Sequence, residues 1–348
     1  MLGIDRRALQ VAWTLFLFGL VLVLIYKTGR TLVVFALALI FAHLLAPVVG
    51  LLERRLPRSV PRVATLGIVY VVLLGALVAV MIPLGSRISD EASSLARRLP
   101  DVLSRDPFAN LPIPRAFEPL RPQLTSMLRE KVGNLGGQVV PLLSQAGGHI
   151  VSGLSAIVTV ILIPILAFFF LKDGEAMRDA IIALFDARRR ELVADIFADL
   201  HVLLGQYIRA LVLLSIATFS SYAVFLAILG GPYPVLLAGL AAVLEFIPAI
   251  GPFIAAVALV IVAAFAGFPH MLALVLFLIV YRFFQDYVLS PYLMSSGVEI
   301  HPALVLFGVL AGEQLFGIPG MFFSVPVMAA LRLIVVRTRA RRAARPSQ

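Results

Sequence analysis

Between Ala210 and Tyr281 the chain carries one formal charge, Glu245, in 72 residues. No soluble domain leaves so long a stretch without charged residues, because its loops and outward faces need polar groups to meet water. A bilayer removes that need, and it allows only helices or closed barrels to cross it. Three earlier uncharged runs, 8–26, 31–52 and 63–86, each reach the length of about 20 residues that a spanning helix requires. The runs are continuous rather than alternating, which points to helices. Composition agrees: 61% of residues are hydrophobic, mean hydropathy is +1.02 and only 14% are charged, against about a quarter in globular domains. The expectation is an all-α polytopic membrane protein with about six to eight transmembrane helices.

Charge placement orients these spans. Arg54, Arg55, Arg58 and Arg62 crowd the short loop between the second and third runs, so the positive-inside rule makes that loop cytoplasmic. The C-terminal Arg332, Arg337, Arg339, Arg341, Arg342 and Arg345 agree, and both termini are expected in the cytoplasm of a cell whose inner membrane holds the protein. Lys27 and Arg30 on the outer side are a small exception. The net charge of +10 sits beside apolar spans rather than on a soluble face, which speaks for anionic lipid and against nucleic acid. Arg6 and Arg7 precede the first run as in a signal peptide, but no Ala-x-Ala-like cleavage site follows, so it reads as a retained span.

The remaining chain divides by composition. Residues 1–86 form the N-terminal transmembrane helices. Residues 87–148 mix charges with apolar positions at helical spacing and hold a Pro-rich piece, and read as an extracytoplasmic helical insert. A fourth transmembrane helix is expected at 149–171. Residues 172–206 read as cytoplasmic amphipathic helices, with Asp173 as the cap of the first. Residues 207–336 form the candidate transport core and 337–348 a basic cytoplasmic tail.

Within the core two short apolar arms, 233–247 and 253–266, flank Pro248, Gly251 and Pro252. The first arm, at 15 residues, spans about 22 Å, less than a hydrocarbon core of about 30 Å. The pair reads either as a re-entrant hairpin, which we prefer, or as two tilted spans. A second unit repeats the layout: a span at 270–289, an arm at 302–316, breaks at Gly317, Pro319 and Gly320, and a returning arm at 321–336. The two units run in opposite directions, as in transporters built on inverted repeats with broken helices. Six crossings and two hairpins leave both termini on one side, and so would ten crossings. His301-Pro302 reads as a helix start, since Pro suits the first turn.

Charges at membrane depth are costly and usually mark an ion or substrate path. Glu245 stands three residues before Pro248 and Glu313 four before Gly317, so the hairpin layout sets both acids near the tips, facing each other. Each ionised acid there costs about 3 kcal/mol or more unless paired, a cost that a carried proton or bound cation would remove. Structural pairing is the alternative for each. Arg282 and Asp286, spaced i, i+4, suit an intrahelical ion pair, with a gate as the functional alternative. Gln285, Gln314, Tyr281 and Tyr287 offer hydrogen bonds to a neutral polar solute, though Tyr also serves as an interfacial anchor.

No Cys occurs, and the five His form no ligand spacing. The motifs His-Glu-x-x-His, Gly-x-Ser-x-Gly and Gly-x4-Gly-Lys-Ser/Thr are absent, so metalloprotease, serine hydrolase and P-loop ATPase chemistry have no support in the sequence. The chain is read as a non-enzyme without cofactor, whose partners are a small-molecule or ion substrate and membrane lipid. A passive channel and a non-transporting scaffold are the alternatives to an ion-gradient-driven transporter.

Several motifs in one order resemble the autoinducer-2 exporter family of bacterial and archaeal permeases. They are Phe246-Ile-Pro-Ala-Ile-Gly-Pro252, Gln285-Asp286 followed by Val-Leu-Ser-Pro291, His301-Pro302, and Leu315-Phe-Gly-Ile-Pro-Gly320 leading to Ser324-Val-Pro326. A departure falls at Ala210-Leu211, where members often carry Gly-Gln after Tyr-Ile-Arg. The resemblance implies efflux of a small polar signalling molecule such as autoinducer-2, or sodium/proton antiport, and a homo-oligomer for which a pentamer is one form.

Overall fold

A computed structural model describes residues 6–55, 57, 61–104, 122–123, 125–127, 130, 154–293 and 301–343. Most of the expected insert at 87–148, including its Pro-rich piece, lies outside the described residues, as does Glu299.

The described chain is helical, with no strand among the described residues. In order it forms α1 (Arg6–Lys27), α2 (Gly29–Arg55), α3 (Arg62–Ser104), α4 (Leu154–Ala183), α5 (Ala187–Ile228), α6 (Pro234–Leu244), α7 (Ile250–Phe265), α8 (Met271–Phe284) and α9 (Pro302–Ala343). Among the described residues six helical segments are long and apolar enough to cross a membrane: Gln10–Lys27, Gly29–Arg55, Val63–Arg98, Arg189–Ile228, Met271–Leu293 and Pro302–Arg341. Large apolar side chains cover their outsides. On α1 Trp13 and Phe18 are each more than 60% exposed, which suits lipid and not water.

Three helices are longer than the hydropathy runs that announced them. α3 has 43 residues, about 65 Å at 1.5 Å each, and carries its helix through position 87 to Ser104. α5 joins the amphipathic stretch at 188–206 to the apolar run that follows in one 42-residue helix. α4 likewise runs through Asp173, which therefore does not cap a helix as expected; it sits inside one, 3.7 Å from Lys172. Hydropathy changes at these junctions while the helix continues, through Pro83 and Gly85 in α3, Gly174 in α4 and Gly205 in α5. The break between α4 and α5 comes at 184–186, where Asp186 occupies the N-cap position of α5 and its carbonyl accepts from Arg189 N at 2.7 Å.

The main buried cluster joins the second half of α5 to α6, α7 and α8 through Tyr222, Leu226, Leu237, Ala238, Ala241, Ala255, Leu259, Ala263, Leu274 and Tyr281. Alanine recurs at these contacts because small side chains let apolar helices approach closely when no hydrophobic effect separates helix from lipid. A second cluster, Ala38, Ala42 and Ala167, holds α2 to α4, and a third, Val49, Leu66 and Val69, holds α2 to α3.

Both Pro-Gly breaks turn the chain back on itself. α6 and α7 have 11 and 16 residues, about 16 and 24 Å, and form the first hairpin. At its tip Ile250 N donates to Pro248 O at 2.7 Å, a three-residue turn that holds Ala249 at φ 64, ψ −47. A Cβ on Gly251 would strike the carbonyl of Leu244, so only glycine lets the second arm leave so close to the first. In α9 the break is Gly317, at φ 64, ψ −145, a region open essentially to glycine alone. Beyond it the chain returns along its own first arm. Gly320 lies against the backbone of Gly312, and a Cβ on Gly308 would come within 3.0 Å of Met328 and 3.4 Å of Ser324. In a straight helix Gly308 and Met328 would stand about 30 Å apart. Helix α9 is thus two antiparallel arms, 302–316 and 318–343, forming a second hairpin. His301 starts it: Ala303 N donates to His301 Nδ1 at 3.2 Å, with Pro302 as the first helical residue.

Candidate functional site

Glu245 ends α6 at the tip of the first hairpin and is only 7% exposed. Its burial follows from position: the last turn of a short apolar helix is wedged between α5 and α8. Two groups reach its carboxylate. Thr218 Oγ1 on α5 donates to Oε2 at 3.3 Å, and Gln285 Nε2 on α8 donates to Oε1. Thr218 Oγ1 also lies 3.0 Å from Tyr281 Oη, and Ser215 Oγ donates to Ala242 O at 2.8 Å in the final turn of α6. Tyr222 closes the cluster, its ring 5.3 Å from Tyr281.

Local geometry aims Gln285 inward. α8 widens into a π-helical turn over Gln285–Leu289 before a last α-helical turn, Ser290–Leu293. Such a turn inserts one residue into the helical register and recurs at functional sites. Gln285, 3% exposed, continues the buried stripe Leu274, Leu278 and Tyr281 of α8 at helical spacing, and Arg282 and Asp286 lie on the outward side, where Arg282 Nε meets Asp286 Oδ2 at 2.8 Å with both side chains more than 40% exposed.

The structure thus brings Glu245 and Gln285 together and keeps the Arg282–Asp286 pair on the adjoining surface. Pro248, Gly251 and Pro252 shape the tip just beyond Glu245, and Gly317, Pro319 and Gly320 shape the other tip. Glu313 and Gln314 stand on the first arm of α9 and are exposed; among the described residues Glu313 makes no ion pair. Tyr287 is 74% exposed. The two hairpins touch where Phe246 meets Phe322, ring centroids 5.6 Å apart.

Sequence reasoning missed Ser215, Thr218 and Tyr222. Their signal was present, since they fall at i, i+3 and i+7 and draw a polar stripe along the apolar second half of α5, where Ser220 and Ser221 are the other hydroxyl residues. Chemically the cluster is a carboxylate surrounded by neutral hydroxyls and an amide. No cation pairs with Glu245 among the described residues, and no group of three or more His, Cys, Asp or Glu there could hold a metal ion.

A bundle of lipid-exposed helices with two glycine-closed hairpins and a buried acid at the tip of one defines a multi-pass membrane protein of the transport class. The family model for AI-2E family transporters matches residues 12–340, and the chain belongs to that family. It is 25% identical to the Bacillus subtilis protein named "Putative transport protein YueF", over 94% of this chain and 95% of that one. It is 28% identical to "Putative transport protein MT0215" of Mycobacterium tuberculosis, over 84% and 79% of the two chains. A second Bacillus subtilis protein, "Putative transport protein YrrI", is 30% identical over half of this chain and 49% of its own length.

Proposed function

We propose that this protein is a secondary transporter that exports a small polar solute of the autoinducer-2 type, driven by an ion gradient, with Glu245 as the ion-carrying group. The observation that carries the reading is the burial of Glu245 with neutral hydrogen-bond partners only, while Arg282 and Asp286, the charges whose fields reach it, pair with each other on the adjoining surface. An ionised carboxylate so placed has no ion pair of its own, and a buried unpaired charge is strongly destabilising. Taking up a proton or a sodium ion on one side of the membrane removes that penalty, and releasing it on the other completes a cycle. Thr218, Tyr281 and Gln285 would orient the carboxylate throughout. Sodium/proton antiport is the second reading, favoured by the oxygens of Thr218 and Tyr281 beside the carboxylate, which suit a hard cation.

The proposal includes the membrane frame. The 11- and 16-residue arms of the first hairpin, and the first arm of the second at 302–316, support re-entrant hairpins that enter from opposite faces, the first from outside and the second from the cytoplasm. Both termini and the α4–α5 junction lie in the cytoplasm of a plasma-membrane protein, and Arg282–Asp286 and Glu313 border the solute path. A homo-oligomer belongs to the same proposal. Purified protein in liposomes, assayed for proton movement under a sodium gradient and for efflux of a loaded polar solute, tests the reading. Coupled flux that is lost in Glu245→Gln supports it. Flux of the same rate with no gradient coupling would make the protein a channel, and no flux of either kind would leave a scaffold.

A further inference from the structure

Glu91 lies on the far part of α3, 145 residues before the helix it touches. Its two carboxylate oxygens accept from successive backbone amides at the start of α6: Leu236 N at 2.7 Å to Oε2 and Val235 N at 3.4 Å to Oε1. These are amides that a helix cannot satisfy from within. Nothing local caps them, for the N-cap residue Tyr233 sits at φ 49 and offers no side-chain hydrogen bond. A carboxylate also suits the positive end of the helix dipole. One turn earlier on α3, Ile88 Cδ1 approaches Gly239 of α6, 3.4 Å from where a Cβ would stand. From Ile88 to Glu91 the contact on α6 moves from Gly239 back to Leu236, so the two helices run antiparallel in fixed register over this turn.

α6 is a rigid rod of 11 residues, with Glu91 at its start and Glu245 at its end. We propose that Glu91 is a positioning residue for the first hairpin: by gripping the free amides of α6 it fixes the axial position of that helix, and so sets where Glu245 meets Gln285 and Thr218. The long α3 thereby acts as the post against which the hairpin is registered. Its extension past the apolar run, through Ile88 and Glu91, is the part that makes the grip.

The functional consequence rests on the transport reading above, but the positional claim does not, and the test separates them. The native chain has no cysteine, so a spin-label pair at Leu240→Cys on α6 and Leu276→Cys on α8, both exposed positions, reports the placement of the hairpin in the full-length protein by pulsed electron paramagnetic resonance. With Glu91 intact the pair should give one narrow distance distribution. Glu91→Ala should displace its mean by about 1.5 Å or more, the rise of one helical residue, or add a second population. Glu91→Gln, which keeps one acceptor oxygen, should fall between the two. An unchanged distribution in Glu91→Ala overturns the proposal. Loss of folding in both variants, seen as aggregation on size exclusion, overturns it as well, since Glu91 would then be a folding determinant rather than a positioning one. In liposomes the displaced variants should lose at least tenfold in coupled flux. A displaced hairpin with flux intact would leave the positional claim standing and remove Glu245 as the ion carrier.

Discussion

Phe246 and Phe322 meet at a ring-centroid distance of 5.6 Å, and through them the tip of the first hairpin rests on the returning arm of the second. Each residue lies close to a chain reversal, Phe246 just before Pro248 and Phe322 five positions past Gly317. The contact joins the two broken elements beside the buried Glu245, so a shift of either hairpin would be felt at that carboxylate.

The two acids that flank the breaks should behave differently. Glu245 is buried and hydrogen-bonded by Thr218 and Gln285, whereas Glu313 is exposed. Glu245→Gln preserves shape and keeps one acceptor oxygen for Gln285, while its amide can donate to Thr218 Oγ1 in place of the bond it accepted, so the variant should fold and, without the ionisable group, lose gradient-coupled flux together with its dependence on pH. Glu313→Gln should cost less, by about a factor of ten. Liposome flux across a pH series decides this, and equal loss in both variants would show that burial is not what matters.

Gly317 should tolerate no side chain. At φ 64, ψ −145 an alanine would cost about 1–3 kcal/mol, lowering the melting temperature in detergent. Ala249 is the converse case, since it already bears φ 64. Ala249→Gly relieves that strain while loosening the unfolded chain, and should be neutral or stabilising by up to about 1 kcal/mol. Thermal unfolding of the two variants side by side gives the comparison.

Arg337 of the returning arm donates from Nε to Asp199 Oδ2 of α5 at 2.6 Å, and Arg341 pairs with Glu191 at 3.1 Å. These side chains are partly exposed, and pairs of that kind contribute about 0.2–1 kcal/mol and weaken with salt. Asp199→Arg should therefore destabilise modestly at low ionic strength, and Asp199→Arg combined with Arg337→Asp should restore most of the loss. A double-mutant cycle at two salt concentrations measures the coupling; a coupling indifferent to salt would show that packing, not charge, joins the helices.

The depth of the hairpins is open to chemical labelling on the cysteine-free background. Re-entrant hairpins predict that Ala249→Cys is shielded or reached through an outer vestibule, and that Ile318→Cys shows the opposite sidedness. An impermeant thiol reagent applied to each face reads the outcome. Fast labelling of Ala249→Cys from the cytoplasm alone, with Ile318→Cys labelled from outside alone, would replace the hairpins with full spans. In the same frame protease added to intact cells should cut within 87–148 and spare 173–206.

The sequence by itself determined that this chain is helical and lives in lipid, because both properties are local. An apolar run of sufficient length has no other stable form in a bilayer, and the turns at Ala249 and Gly317 are announced by the prolines and glycines that permit them. Tertiary structure decided which polar groups meet. Glu245 and Glu313 look alike in sequence, each a few residues ahead of a break, yet packing between α5 and α8 buries only the first. Gln285 reaches it because it continues the buried stripe Leu274, Leu278 and Tyr281 of α8 where that helix faces the end of α6, and Thr218 because α5 lies alongside. Glu91 finds the start of α6 across 145 residues. Such pairings depend on how whole helices are registered against one another, and a pattern read along a single helix records its own buried face but not its partner.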